Sequence, residues 1–150
     1  MKIKLAVSQG RYDEIKKALA EHGIEVDESA DLILCERGRP VDQLLVKDTT
    51  SNERVILLAE DIISIESYGH TVEVHTQEQT YQAFDRLYKV LDLLDPDKFL
   101  RVSNSVIIAK DKVRKIIPTL SMKFILTMAD GRKVDVTRSY YYMFKDSFGI

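Results

Sequence analysis

The chain has 150 residues, 45% of them hydrophobic and 31% charged, with a formal net charge of −2. That composition suits a folded protein of one or two small domains and excludes a disordered or collagen-like chain. No apolar run approaches the roughly 20 residues that cross a bilayer. The opening Met1–Val7 run lacks the cleavage region of a signal peptide, so a cytoplasmic location without membrane insertion is expected. A single cysteine, Cys35, allows no internal disulfide. The charge is unevenly spread: residues 1–98 hold 12 Lys and Arg against 20 Asp and Glu, whereas residues 99–150 hold 10 against 4. An acidic front and a basic back point the last third toward a polyanion, unless the two halves only neutralise each other within the fold.

In chain order, Ile3, Leu5 and Val7 alternate with Lys2, Lys4 and Ala6 and predict a half-buried strand. Tyr12, Ile15 and Leu19 then recur at helical spacing over residues 11–22, and Gly23 stops that helix. Short strands are predicted at Ile24–Val26 and Leu32–Glu36, which makes Cys35 a small core residue rather than a redox or nucleophilic one. Arg37–Pro40 reads as a loop, Leu44–Lys47 as a strand and Asp48–Asn52 as a polar turn. Residues 1–50 thus form a small α/β module.

From Glu53 onward the pattern turns to strands. Val55–Leu58, Ile62–Ser67 and Thr71–Thr76 are strand-like, with Tyr68-Gly69-His70 as the turn between the last two and Thr80–Tyr81 as a short edge strand. Phe84, Leu87, Val90, Leu91 and Leu94 give residues 82–94 helical spacing, ended by Asp95-Pro96-Asp97. Val106–Ala109 and Val113–Ile117 are strands, and Pro118 closes the second. Lys123–Met128 and Lys133–Val136 pair around Ala129-Asp130-Gly131-Arg132, where Asp-Gly is a strong hairpin signal. Residues 139–148 form a closing helix whose Tyr140, Tyr141, Tyr142, Met143, Phe144 and Phe148 face the core and anchor the preceding loop.

The chemistry concentrates in Phe99-Leu100-Arg101-Val102-Ser103-Asn104-Ser105, which runs into the apolar stretch Val106–Ala109. Arginine offers five donors in a fixed fork, and asparagine offers a donor and an acceptor. Those side chains read guanine and adenine edges in a DNA groove. Arg132-Lys133 and Arg138 add a second basic cluster. Enzymatic readings have little support. His22, His70 and His75 lack ligand spacing, and His75 lies in a strand as a structural residue. Cys35 stands in no metal-ligand pattern, so no metal or cofactor is expected. No phosphate loop or nucleophile elbow appears. Glu60 and Asp61 are neighbours on an expected strand and point to opposite faces.

Asp61-Ile62-Ile63-Ser64-Ile65-Glu66-Ser67, Val72–Thr76, Phe99–Ser105, Val113-Arg114-Lys115-Ile116, Asp130-Gly131 and Val136-Thr137-Arg138-Ser139-Tyr140 together resemble the LytTR family of bacterial DNA-binding domains, across about residues 53–150. The resemblance implies a mostly β fold of about ten short strands in small sheets with one or two helices. It implies a sequence-specific transcriptional regulator that reads direct repeats in promoter DNA through loops inserted in the major groove. The matching positions give DNA-binding roles to His70, Asn104 and Arg138 as base contacts. Arg101 and Ser103 are expected at phosphates, with Lys133 in the electrostatic footprint and Lys110, Lys112, Lys115, Lys123 and Arg132 as further contributors. Two repeats would favour a homodimer. Most members carry a phosphoacceptor receiver, but only about 50 residues precede the LytTR part here, and no acidic pair follows the first strand. Phosphorylation control is therefore not expected, and the module at residues 1–50 is assigned to dimerisation or sensing. The alternative is an interaction protein that keeps the LytTR fold and acts by pairing with a membrane or regulatory partner.

Overall fold

The computed structural model describes residues 1–36 and 40–150, so the loop expected at Arg37–Pro40 lies mostly outside the described residues. The chain divides into two compact units, Met1–Arg39 and Pro40–Ile150. In the first unit, strand β1 (Lys2–Ala6) lies between β2 (Glu25–Val26) and β3 (Ile33–Cys35), and both pairings are parallel. Helix α1 (Gln9–Glu21) makes the crossover from β1 to β2. Ile3 and Leu5 are buried. Glu36 accepts hydrogen bonds from the Ser8 N–H at 2.8 Å and the Ser8 hydroxyl at 2.9 Å. Those donors hold its carboxyl below the usual carboxylate range.

Cys35 is exposed, contrary to the core position expected from its apolar neighbours. The reason is topological. Strand β3 is the sheet edge, and Ile33 and Leu34 are 61% and 40% exposed. An apolar run marks burial only when both flanks and faces are covered.

The second unit carries ten strands and is mostly β, as expected. Strand β4 (Gln43–Asp48) pairs with β5 (Arg54–Leu58) around a turn in which Asn52 adopts φ 66°. Next come β6 (Ser64–Tyr68), β7 (Thr71–His75), β8 (Thr80–Ala83), helix α2 (Leu87–Leu93), β9 (Phe99–Arg101) and β10 (Val106–Ala109). The seven strands form one antiparallel sheet in the order β5-β4-β8-β7-β6-β10-β9. Strand β4 is thus an inner strand of this sheet, and the compact unit that contains it begins at Pro40. Strand β8 is likewise internal, not an edge, and the helix expected over 82–94 is confined to Leu87–Leu93. Non-local pairing of Ala83 with Val46 and of Gln82 with Glu73 overrides the local helical spacing there.

A second, three-stranded sheet has the order β11-β12-β13, formed by Val113–Pro118, Phe124–Met128 and Lys133–Val136. The β12–β13 hairpin turns through Gly131 at φ 86°. Helix α3 (Tyr141–Phe148) follows and ends at Gly149 in the left-handed conformation. Phe144 is fully buried, Phe124 stacks on Tyr141 at 5.0 Å, and Phe148 packs on Phe144 at 4.6 Å. Tyr142 and Met143 face solvent, so only part of the aromatic run anchors the helix.

Strand β10 is buried on both faces. Ile107 and Ala109 enter a core with Val74, Leu87 and Val90, while Val106 and Ile108 enter another with Phe124, Leu126 and Phe144. Burying each of these isoleucines is worth about 1.5–3 kcal/mol. The strand that follows the polar cluster is therefore one of the stiffest parts of the unit.

His75 is 1% exposed. Its Nδ1 lies 2.9 Å from the Thr80 hydroxyl, while Nε2 has no hydrogen-bond partner and sits 3.7 Å from Glu66 and 3.9 Å from Glu73. Burial and then Arg132 push its pKa below the usual 6.5, against the opposing pull of Glu73, Glu66 and Asp130. Because the unfolded chain binds this proton more readily, His75 contributes a loss of stability as pH falls below 6.5. Melting temperatures between pH 7 and pH 5 should fall for the native protein and fall less for His75→Gln; equal slopes would assign the dependence to other groups.

Candidate nucleic-acid interface

Three loops carry the exposed polar side chains singled out in the sequence. The β6–β7 hairpin has the two-residue turn Gly69-His70, flanked by the Tyr68–Thr71 pair. Gly69 takes φ 59°, the positive value that the first position of a type II′ hairpin turn requires, and His70 sits exposed at the tip. The Val102–Ser105 loop joins β9 to β10 and places Asn104 exposed between buried Val102 and Val106. A single 3-10 turn, Arg138–Tyr140, joins β13 to α3 and leaves Arg138 exposed.

Backbone hydrogen bonds fasten these loops to one another. The Val102 N–H donates to Val106 O at 3.0 Å and closes the Asn104 loop. The Ser67 N–H donates to Ser105 O at 2.8 Å, which joins that loop to the strand leading to His70. The Thr137 N–H donates to Val102 O at 3.0 Å, which joins it to the residue before Arg138. His70, Arg101 and Asn104 line one cleft. Asn104, Lys133 and Arg138 line another, together with Lys123 and the acidic Glu66 and Asp135. Asn104 is common to both, so exposed His70, Asn104, Lys133 and Arg138 border one strip of adjoining clefts, with Arg101 half-buried and Ser103 buried.

Arg101 faces its own loop. Its Nε donates to Ser103 O at 3.1 Å, and an Nη donates to Asn104 O. Such charge-assisted bonds are stronger than neutral ones, and here they set the path of the backbone under Asn104. Ser103 is 7% exposed. Its hydroxyl accepts from the Ser105 N–H at 3.2 Å. Lys133 donates from Nζ to the Thr127 hydroxyl at 2.7 Å and keeps two further N–H donors. Among the described residues no ion pair involves Arg138, although Asp135 and Asp146 lie nearby in sequence. Tyr68, beside the strip, has its hydroxyl pushed up to about 12, chiefly by the hydrogen bond to Glu66.

Sequence reasoning missed Arg86 and Tyr88, which line the cleft shared by His70 and Asn104 at the start of α2. Both are exposed. The apolar spacing of Leu87, Val90 and Leu94 masked them, and the only local signal was an arginine and a tyrosine on the polar side of that pattern.

Short loops on a stiff β scaffold, presenting guanidinium, carboxamide and imidazole groups in one strip, define a surface suited to nucleic-acid grooves. Residues 52–149 match the family model of the LytTr DNA-binding domain. The chain belongs to the LytTR DNA-binding domain family. It is 26% identical over 137 residues to the sensory transduction protein LytT of Enterococcus faecalis, covering 91% of this chain and 54% of that one. It is 25% identical over 124 residues to the transcriptional regulatory protein LytR of Staphylococcus aureus, covering 83% and 50%. The chain thus spans about half the length of these curated relatives. A solved LytTr DNA-binding domain from Bacillus cereus superposes with a TM-score of 0.68 at 24% identity, covering 73% of this chain and 99% of that one, and shares its fold.

If the two arginine–carbonyl bonds hold the Asn104 loop, Arg101→Gln should speed amide exchange at Asn104 and Ser105 several-fold. Exchange in β10 should stay slow. Hydrogen-exchange mass spectrometry measures both, and unchanged loop exchange would remove Arg101 from this role.

Proposed function

We propose that this chain is a sequence-specific DNA-binding transcriptional regulator, with base contacts from His70, Asn104 and Arg138 and phosphate contacts from Lys133. The observation that carries the reading is the single strip: three exposed side chains able to read base edges, on loops hydrogen-bonded to one another through Ser67, Ser105, Val102 and Thr137. Family membership over residues 52–149 supports double-stranded promoter DNA as the partner. The two clefts that share Asn104 suit loops entering neighbouring stretches of major groove. In this reading Arg101 and Ser103 act mainly by shaping the Asn104 loop, a revision of the phosphate role expected for them. Bacterial promoter repeats are the target and the cytoplasm is the site of action.

Arg138 can bond guanine N7 and O6 together, a contact worth about 1–3 kcal/mol of discrimination. A lysine on a phosphate adds affinity without sequence information. Arg138→Ala should therefore flatten the preference among duplexes, measured by anisotropy against a selected site and a scrambled one. Lys133→Ala should weaken both alike and lower the salt slope by about one counterion. Equal loss of preference in the two variants would contradict this division.

Two copies on two repeats make a homodimer the working form, and we assign its contact to the unit Met1–Arg39. Support comes from edge strand β3, where Ile33 and Leu34 are exposed, as is Leu32 just before it. Sedimentation should find a dimer that Ile33→Glu converts to a monomer; a native monomer at high concentration would end that assignment and leave the unit a sensing role. A second reading, an interaction protein paired with a regulatory partner, is favoured by one observation. Leu45 and Ile56 form an exposed cross-strand pair beside exposed Leu58 on the β4–β5 hairpin. Under that reading DNA binding is weak and nearly independent of sequence.

A further inference from the structure

Tyr140 closes the same 3-10 turn that begins with Arg138. Its ring is half-buried and packs on the core that holds Phe124, Leu126 and Phe144. Its hydroxyl leaves that core and donates to Asn104 Oδ1 at 3.1 Å, a contact between residues 36 apart in sequence. The backbone of Asn104 is already fixed, by the Val102–Val106 bond and by Arg101 on its carbonyl. The carboxamide retains its own rotations, and among the described residues Tyr140 is the one side chain that hydrogen-bonds it.

We infer that Tyr140 is a positioning residue for base recognition: its hydroxyl holds the Asn104 carboxamide in one orientation and ties it to the turn bearing Arg138. The inference rests on the reading of Asn104 as a base contact. A free asparagine presents either its oxygen or its NH2 to a ligand. With Oδ1 accepting from Tyr140, the NH2 group is left without an intramolecular partner, so it is the end offered to DNA. An NH2 donor matches the acceptors of the major groove: purine N7, guanine O6 and thymine O4. Adenine remains readable, since Oδ1 keeps a second lone pair for the N6 amino group. Cytosine presents only its N4 donor at that edge and leaves the carboxamide NH2 unmatched. Tyr140 therefore biases the site against cytosine at the base facing Asn104, without touching that base.

The test is a double-mutant cycle in the full chain. Tyr140→Phe keeps the ring and its packing and removes only the hydroxyl, so the melting temperature should stay within a degree or two. The probes are a duplex selected from a random pool by the native protein, the same duplex with cytosine at the base whose preference Asn104→Ala abolishes, and a scrambled duplex. Tyr140→Phe should reduce discrimination against the cytosine duplex by about three- to tenfold, the range of one ordinary hydrogen bond. Affinity for the scrambled duplex and the salt slope should not change. Added to Asn104→Ala, it should have no further effect. In the DNA-free protein, the Asn104 side-chain NH2 signal in a 15N correlation spectrum should move or broaden in Tyr140→Phe.

Additive effects of the two substitutions would overturn the inference. So would an equal loss of affinity for all three duplexes, which would make the hydroxyl a phosphate contact, and so would an unmoved Asn104 NH2 signal. If Asn104→Ala itself preserves every base preference, the reading of Asn104 falls instead, and the inference with it.

Discussion

The peptide group of Val102 is the constraint on which the site depends. Its side chain is fully buried, its N–H is spent on Val106 O, and its carbonyl accepts the Thr137 N–H. A buried backbone group left unpaired costs about as much as the hydrogen bond it lacks. Neither neighbour can therefore drift away without that loss. One residue thus sets the curvature of the Asn104 loop and the start of the Arg138 turn. The strand that follows, Val106–Ala109, supplies the stiffness because alternate residues are gripped by different cores. Loops placed on such a mount lose little further backbone freedom when their side chains meet a ligand.

Charge is distributed to match. Carboxylates dominate the first 98 residues, and cations outnumber them from residue 99 onward. The strip is nonetheless mixed: Glu66 and Asp135 share a cleft with Lys123, Lys133 and Arg138. Carboxylates beside a cationic strip moderate its pull on phosphates in general and leave more of the discrimination to groups that reach base edges. The Glu66 side chain also lies 3.7 Å from buried His75 and raises the Tyr68 hydroxyl's pKa, so it bears on both the surface strip and the interior of the sheet.

Most of the second unit was legible in the sequence because its signals are local. Alternation marked the strands, Gly69 and Asp130-Gly131 marked the hairpins, and the Phe99–Ser105 cluster marked the loop that leaves Asn104 exposed. What was not legible is what depends on distant partners. The second half of strand β8, Gln82–Ala83, looked like the start of a helix because Phe84 and Leu87 fall at helical spacing, whereas Val46 and Glu73 draw residues 82 and 83 into the sheet. Cys35 looked buried because nothing in Leu32–Leu34 reveals that β3 is an edge. Nor does a sequence show that two carbonyls of its own loop lie within reach of the Arg101 guanidinium.

The three side chains proposed to read bases are rooted at different strand ends: His70 on the β6–β7 turn, Asn104 ahead of β10 and Arg138 after β13. All three are exposed, and none belongs to either apolar core. Replacing one tip alters a single point of contact while the packing beneath it persists. Duplicated genes built on this plan can acquire new target preferences one position at a time, each step passing through a protein that still folds.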